Sequence, residues 1–310
     1  MIRPFHKLDA LDHYTAASER AASQIIASYS TSFGLATRLL GVRHRQHVRN
    51  VYALVRIADE LVDGVTAEAA FSVEKQHAAL DYLEKETVHA LDCGYSSNPV
   101  VHAFAKSAHE AGITTELTEP FFESMRTDLR SATLENSESS ASPQNLQIFE
   151  AVDHARYVYG SAEVVGLMCL KIFVRDEHLS PGDHEKLING ARQLGAAFQN
   201  VNFLRDIKDD AARLGRSYLG TGAALTESQK DEWLRIIAWQ LDDARETLTL
   251  LPQDARTAVA CALRLFSTLA DRLAATPAEE LMQRRVRVST VQKVWMVVQS
   301  TVDTRWGKTA

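Results

Sequence analysis

Residues Asn50–Gly64 read NVYALVRIADELVDG. Val51, Ala53, Leu54, Val55, Ile57, Ala58, Leu61 and Val62 surround the axis almost completely, the pattern of a helix buried on most sides. Tyr52, Arg56, Asp59 and Asp63 break that pattern at steps of four, three and four, which puts them on one helical face. A charged stripe on a buried helix must meet partners or a wet cavity.

A second stretch repeats the arrangement. Gln199–Asp210 reads QNVNFLRDIKDD, with Gln199, Asn202, Asp206 and Asp210 at steps of three, four and four and apolar Val201, Phe203, Leu204 and Ile207 between them. If the two rows face each other, four carboxylates and two amides converge in one cleft. Like charges that close are costly unless neutralised. Hard oxygen donors suit Mg²⁺, with Mn²⁺ as the alternative, held by one or two carboxylates, waters and substrate phosphates. A diphosphate is the natural third party, and a helical bundle offers an apolar cavity for a hydrocarbon tail. One acidic row alone reads as a solvated face; two rows on otherwise apolar helices outweigh that reading.

Around these segments the chain is helical throughout. Period-two alternation and Asn-Gly or Asp-Gly hairpins are absent from the sequence, and helical periodicity dominates. Helices are predicted at 16–29, 44–65, 73–91, 100–110, 116–129, 144–173, 181–212, 227–250, 254–274 and 290–305. Ser180 before Pro181 is an N-cap signature, and Thr226 with Gln229 has capping-box spacing. Glu135–Pro143 (ENSESSASP) is read as a polar loop within one domain spanning 1–310.

The bulk numbers exclude several classes. The net charge is −6, which argues against nucleic acid as a partner. Cys93, Cys169 and Cys261 are odd in number and form no CxxC pair, as expected of a reducing cytosol and against a thiolate zinc site. The eleven histidines show no HExxH motif. The polar Met1–Tyr14 carries no apolar signal core, and no apolar run is read as reaching the roughly 20 residues a bilayer requires. A peripheral membrane contact stays open. Gly220-Thr221-Gly222 lacks a third glycine and a preceding strand, so it is no dinucleotide fingerprint.

With these residues in view, the chain resembles squalene and phytoene synthases. DELVD (59–63) resembles their first aspartate-rich motif, and NVNFLRDIKDDAARLGRSYL (200–219) their second. YSTSF (29–33) is similar to the N-terminal Ser-x-Ser-Phe element, and YVYGSAEVVG (157–166) to the segment lining the prenyl cavity. The resemblance implies an all-α isoprenoid-synthase bundle with a central cavity. It implies that Asp59, Asp63, Asn202, Asp206 and Asp210 hold Mg²⁺. Arg56 and Tyr52 join the aspartates as catalytic residues, and Ser30, Ser32, Phe33, Tyr157, Gln199, Arg205, Arg216 and Tyr218 contact substrate. Thr31 stands where relatives often have Lys, Glu163 where some have Gly, and Phe266 where some have Tyr.

The activity so implied is head-to-head condensation of two prenyl diphosphates. The first choice is geranylgeranyl diphosphate to phytoene, via a cyclopropylcarbinyl diphosphate. The alternative is squalene or dehydrosqualene synthesis from farnesyl diphosphate, with NADPH required only in the squalene branch. A class I terpene cyclase expects an Asn-Asp-x-x-Ser-x-x-x-Glu site that Asn202–Asp210 does not match. A non-catalytic assembly factor of the same fold typically loses the aspartates, and both rows are intact here. Structural roles compete at single residues: Arg56 with Asp59 or Glu60 in a helical ion pair, Arg205 with Asp206 or Asp209, and Arg216 as a solvated charge. Tyr52, Tyr157 and Tyr159 also read as core aromatics, Glu163 as an arginine partner, and Arg284, Arg285 and Arg287 as a solvated patch, a membrane contact or a diphosphate contact at the cavity mouth.

Overall fold

The computed structural model of the protein describes residues 9–136, 147–214, 216–220, 224–288 and Met296, with 31–33, 130–136, 147–148, 209–214 and 216 described by backbone alone. Its helices are α1 (Ala10–Tyr29), α2 (Thr31–Arg38), α3 (Val42–Val62), α4 (Val65–Glu68), α5 (Val73–Cys93), α6 (Pro99–Ala111), α7 (Thr115–Asn136), α8 (Ala151–Val158), α9 (Val164–Val174), α10 (Pro181–Leu214), α11 (Glu227–Glu246), α12 (Gln253–Ala274) and α13 (Ala278–Leu281). The fold is all-α. Its one extended element among the described residues is a two-residue parallel ladder of β1 (Gln147–Ile148) on β2 (Arg216–Ser217).

Local signals start and stop these helices as expected. Ser180 Oγ accepts the Asp183 amide at 3.1 Å ahead of Pro181, and Thr226 and Gln229 close a reciprocal capping box. Asn98 caps α6, whose first residue is Pro99.

Five boundaries lie three or more residues from the predicted ones. Helix α1 starts at Ala10, ahead of the expected 16, because Asp9 caps it by accepting the Asp12 amide at 2.8 Å, and α7 runs past the expected 129 to Asn136. The other three each have a local reason. The helix expected over 44–65 stops at Val62, because Gly64 turns the chain at φ +121° and α4 starts afresh. The helix expected over 144–173 begins only at Ala151, because Gln147 and Ile148 pair with β2. The helix expected to reach 250 ends at Glu246, and a 3₁₀ turn over Leu248–Leu250 leads to Pro252. The helix expected at 290–305 lies outside the described residues except for Met296, which is helical, and most of the expected loop at 135–143 also lies outside them.

One contiguous apolar core runs through the bundle. In it α3 packs against α1, α6, α7 and α9, and α10 packs against α9, α11 and α12. The run Ala151–Val174 passes through the middle, as α8, a π-helical turn at Tyr159–Glu163, and α9. A Cβ at Gly160 would stand 2.1 Å from Ser124 Oγ and 2.2 Å from the Pro120 carbonyl oxygen, so only glycine lets the π turn lie against α7. By length and composition this run could cross a bilayer, which corrects the reading that no such run exists. Its half-buried Ser161, Ala162, Val165, Gly166 and Cys169 instead line an internal cavity.

Candidate active site

Two helices far apart in sequence supply the walls of one polar cleft of about 640 Å³. From α3 come Tyr52, Arg56, Asp59 and Glu60, and Asp63 follows as the helix C-cap. From α10 come Gln199, Asn202, Arg205 and Asp206, while Tyr157 and Tyr218 form part of the same lining. The acidic rows therefore meet across a common hollow. Asp210, Arg216, Ser32 and Phe33 have side chains outside the described residues.

A second, mainly apolar cavity of about 260 Å³ lies beside the cleft. Val55, Ser161, Gln199 and Asn202 line both. Deeper in, residues such as Leu40, Leu187 and Ala258 close it, and Phe198 stacks on Phe266 with ring centroids 3.7 Å apart. The site thus joins a charged mouth to an apolar interior, the shape an amphiphile with a polar head and a hydrocarbon tail requires.

The electrostatics of the mouth are crowded. Arg56 Nη1 donates to Asp59 Oδ2 at 2.8 Å and also pairs with Glu60, so the intrahelical ion pair weighed for it does form. Its guanidinium lies 4.7 Å from the Tyr29 ring centre. Even so, the Asp59 carboxyl is pushed well above the usual carboxylate range, first by desolvation and then by Asp63 and Asp128, with Arg56 opposing. The Asp59 side chain is 36% exposed, and that exposure is to the cleft, whose walls still desolvate the carboxyl.

Opposite, Asp206 takes Arg205 Nε at 2.9 Å and Arg285 Nε at 2.6 Å. Ser30 meets Tyr52 in a side-chain hydrogen bond, while burial raises the Tyr52 phenol. Glu163 is held by Arg192 Nε at 2.6 Å, the arginine pairing expected for it.

Behind the mouth stands an aromatic cluster. Phe203 stacks on Tyr218 at 4.2 Å, and Tyr157 lies 5.0 Å from Tyr218. Both tyrosine hydroxyls donate to Asp128, Tyr157 to Oδ2 at 2.8 Å and Tyr218 to Oδ1 at 2.9 Å. Asp128 and the pairing role of Arg285 were missed from sequence. The one available signal for Asp128 was its place on the same face of α7 as Phe121, Phe122, Met125 and Leu129, the face opposite Glu123.

The helical bundle and its cleft define an isoprenoid-synthase type of protein. A family model described as squalene/phytoene synthase matches residues 26–228, and the chain belongs to that family. It is 31% identical over 202 residues to a phytoene synthase of Pseudescherichia vulneris, a match covering 64% of this chain and 58% of that protein. It is 29% identical over 273 residues to a phytoene synthase of Arthrospira platensis, covering 81% of this chain and 82% of that one. Several such relatives are longer, and the chain spans less than two thirds of their length. The fold matches a crystal structure of a dehydrosqualene synthase in complex with ligand at a TM-score of 0.72 and 21% identity, covering 96% of this chain and 99% of that one.

Proposed function

We propose that the protein joins two prenyl diphosphates head to head, with geranylgeranyl diphosphate as substrate and phytoene as product. The observation that carries this is the meeting of the α3 and α10 acidic rows at a cleft that opens into an apolar cavity. The phytoene synthase relatives favour this product over squalene or dehydrosqualene, which remain the alternative, made from farnesyl diphosphate.

The donor set fits Mg²⁺. Asp59 and Asp63 on one wall and Asn202 and Asp206 on the other offer only hard oxygens. The Asp59 carboxyl is raised first by desolvation and then by the neighbouring Asp63, with Arg56 opposing, so a cation bound there would favour its charged form. Among the described residues no three carboxylate, histidine or cysteine side chains close into a metal cage, so substrate phosphates and water would have to complete the coordination. Bound there, Mg²⁺ would neutralise the departing diphosphate; Mn²⁺ would serve the same role.

The chain's own residues supply the rest. Arg56, Arg205 and Arg285 place guanidinium groups at the mouth, where a diphosphate oxygen can replace a carboxylate partner. The apolar cavity orients the prenyl chains and keeps water from the allylic cation. Tyr157 and Tyr218 present ring surface to that cation. The cyclopropylcarbinyl diphosphate formed first must ionise in the same pocket, and loss of a proton then gives phytoene; NADPH belongs only to a squalene outcome. An uncharged product leaves most readily into lipid, so a peripheral contact with a membrane facing the cytoplasm completes the reading.

The test is incubation with farnesyl and geranylgeranyl diphosphates, with Mg²⁺ or Mn²⁺ and with or without NADPH, followed by product mass analysis. Phytoene from geranylgeranyl diphosphate without NADPH is the expected result. A metal-independent reaction, or no pyrophosphate release from either substrate, would end the reading.

A further inference from the structure

Asp128 is 3% exposed, on α7 behind the cleft. A buried carboxylate is costly unless its oxygens are bonded, and each of its two oxygens accepts a tyrosine hydroxyl. The donors come from separate elements, Tyr157 from α8 and Tyr218 from the segment after α10. One side chain therefore fixes three segments where they meet the cleft. Tyr157 and Tyr218 both line that cleft, so anchoring their hydroxyls fixes where their rings stand. Phe203, stacked on Tyr218, and Phe149, 4.9 Å from it, leave those rings little room to turn.

The charge matters as well as the geometry. A phenol that donates to a carboxylate carries more electron density, and hydrogen-bonded groups in a low-dielectric interior polarise one another. An aromatic surface backed by a buried anion is suited to face positive charge.

We infer that Asp128 is a positioning residue: it holds Tyr157 and Tyr218 in place and gives their rings the negative potential that stabilises the allylic cation left when diphosphate departs. The cation part of this rests on the prenyl diphosphate reading; the anchoring of the two tyrosines does not.

The first test is Asp128→Asn, nearly isosteric and uncharged. Pyrophosphate release should show kcat down by about tenfold or more, with KM for the prenyl diphosphate changed by less than about twofold. Ultraviolet titration of the protein without substrate or metal should show two phenols ionising at lower pH than in the parent, because the anion that opposed their ionisation is gone. In a Tyr157→Phe/Tyr218→Phe background the same Asn substitution should change kcat by less than about twofold, because no hydroxyl is left to hold.

Unchanged phenol titration, unchanged kcat, or an equal loss of kcat in both backgrounds would overturn the proposal. Asp128→Glu serves if the Asn variant does not fold. It keeps the charge but shifts it by one methylene, and wild-type kcat in that variant would also count against the proposal. If the parent protein converts no prenyl diphosphate, the functional reading fails, and the phenol titration alone decides the anchoring.

Discussion

Arg285 reaches from the segment after α13 to Asp206 on α10, with Nε 2.6 Å from Oδ1 and Nη2 2.9 Å from Oδ2. Lys208 ties the same segment to α10 by donating to the Gln283 carbonyl at 2.8 Å. An arginine read from sequence within a surface patch thus sits on a carboxylate proposed to hold metal. A cation binding at Asp206 must displace this guanidinium or share the carboxylate with it. The Arg285 side chain is 41% exposed, so the pair contributes about 0.5 kcal/mol. Arg285→Met should therefore tighten Mg²⁺ or Mn²⁺ binding to the substrate-free protein about twofold, while weakening capture of the diphosphate. Calorimetric titration with the metal alone checks the first effect and KM the second. Unchanged metal affinity would show that Arg285 does not compete for this carboxylate.

Asp59→Ala and Asp206→Ala should each abolish pyrophosphate release and leave the helical circular dichroism intact. Asp59→Asn should do so while stabilising the metal-free protein. The Asp59 carboxyl is raised in the folded state, so its contribution to stability is complete below the unfolded carboxylate pKa and is lost as pH rises through the folded pKa. At pH 8 the metal-free protein therefore bears the full cost of ionising it. Because the side chain is partly exposed to the cleft, solvent screening reduces that cost, and about 1 kcal/mol is a fair figure. The Asn variant should then melt about 2 °C higher than the parent at pH 8 and no higher at pH 4. Mg²⁺ should raise the melting temperature of the parent but not of the variant.

The acidic rows were legible because they interrupt an apolar helix at its own period, a signal that needs no tertiary knowledge. The same holds for the Thr226 capping box and for the Ser180–Pro181 start of α10. Other features depend on context. Helix α2 was missed because it is only eight residues long and contains Gly34, too short for periodicity to register. The break after Val62 turns on Gly64, which reads on paper as one tolerable glycine but adopts a positive φ. Asp128 could not be tied to Tyr157 and Tyr218 from sequence, because its partners lie 29 and 90 positions away. Arg285 was visible as a charge, but the route of the chain after α13 decides that it meets Asp206.

Asp254 at the start of α12 ties that helix to the start of α3. It accepts Arg43 Nε at 2.8 Å and Arg43 Nη2 at 3.0 Å, with His44 Nε2 at 3.2 Å, while its carbonyl takes the Gly41 amide at 2.7 Å. The Arg43 hydrogen bonds, more than any other influence, hold its carboxyl down at about 2. A depressed pKa contributes stability that is present above the unfolded carboxylate value and is lost as pH falls through about 2. The side chain is 36% exposed, so the full linkage value is reduced by screening to about 1 kcal/mol. Asp254→Asn should lower the urea midpoint at pH 7, and the difference from the parent should shrink as pH falls from 4 towards 2. A difference independent of pH would assign the loss to packing instead of charge.

The apolar cavity should set substrate length, and Ala262 offers a way to test this. It lies on α12, half-buried and lining the cavity beside Ala258 and Phe266. Ala262→Phe places a ring in a space of about 260 Å³, at a cost of about 1–3 kcal/mol if neighbours must shift. A chain of geranylgeranyl length loses its room before one of farnesyl length does. The variant should therefore lose kcat/KM for geranylgeranyl diphosphate by at least about tenfold relative to farnesyl diphosphate, since each displaced methylene is worth close to 1 kcal/mol. Metal affinity, set at the mouth by Asp59 and Asp206, should not move. Equal losses on both substrates would mean that Ala262 lies away from the path of the prenyl tail, and the deep end of this cavity would then hold no substrate.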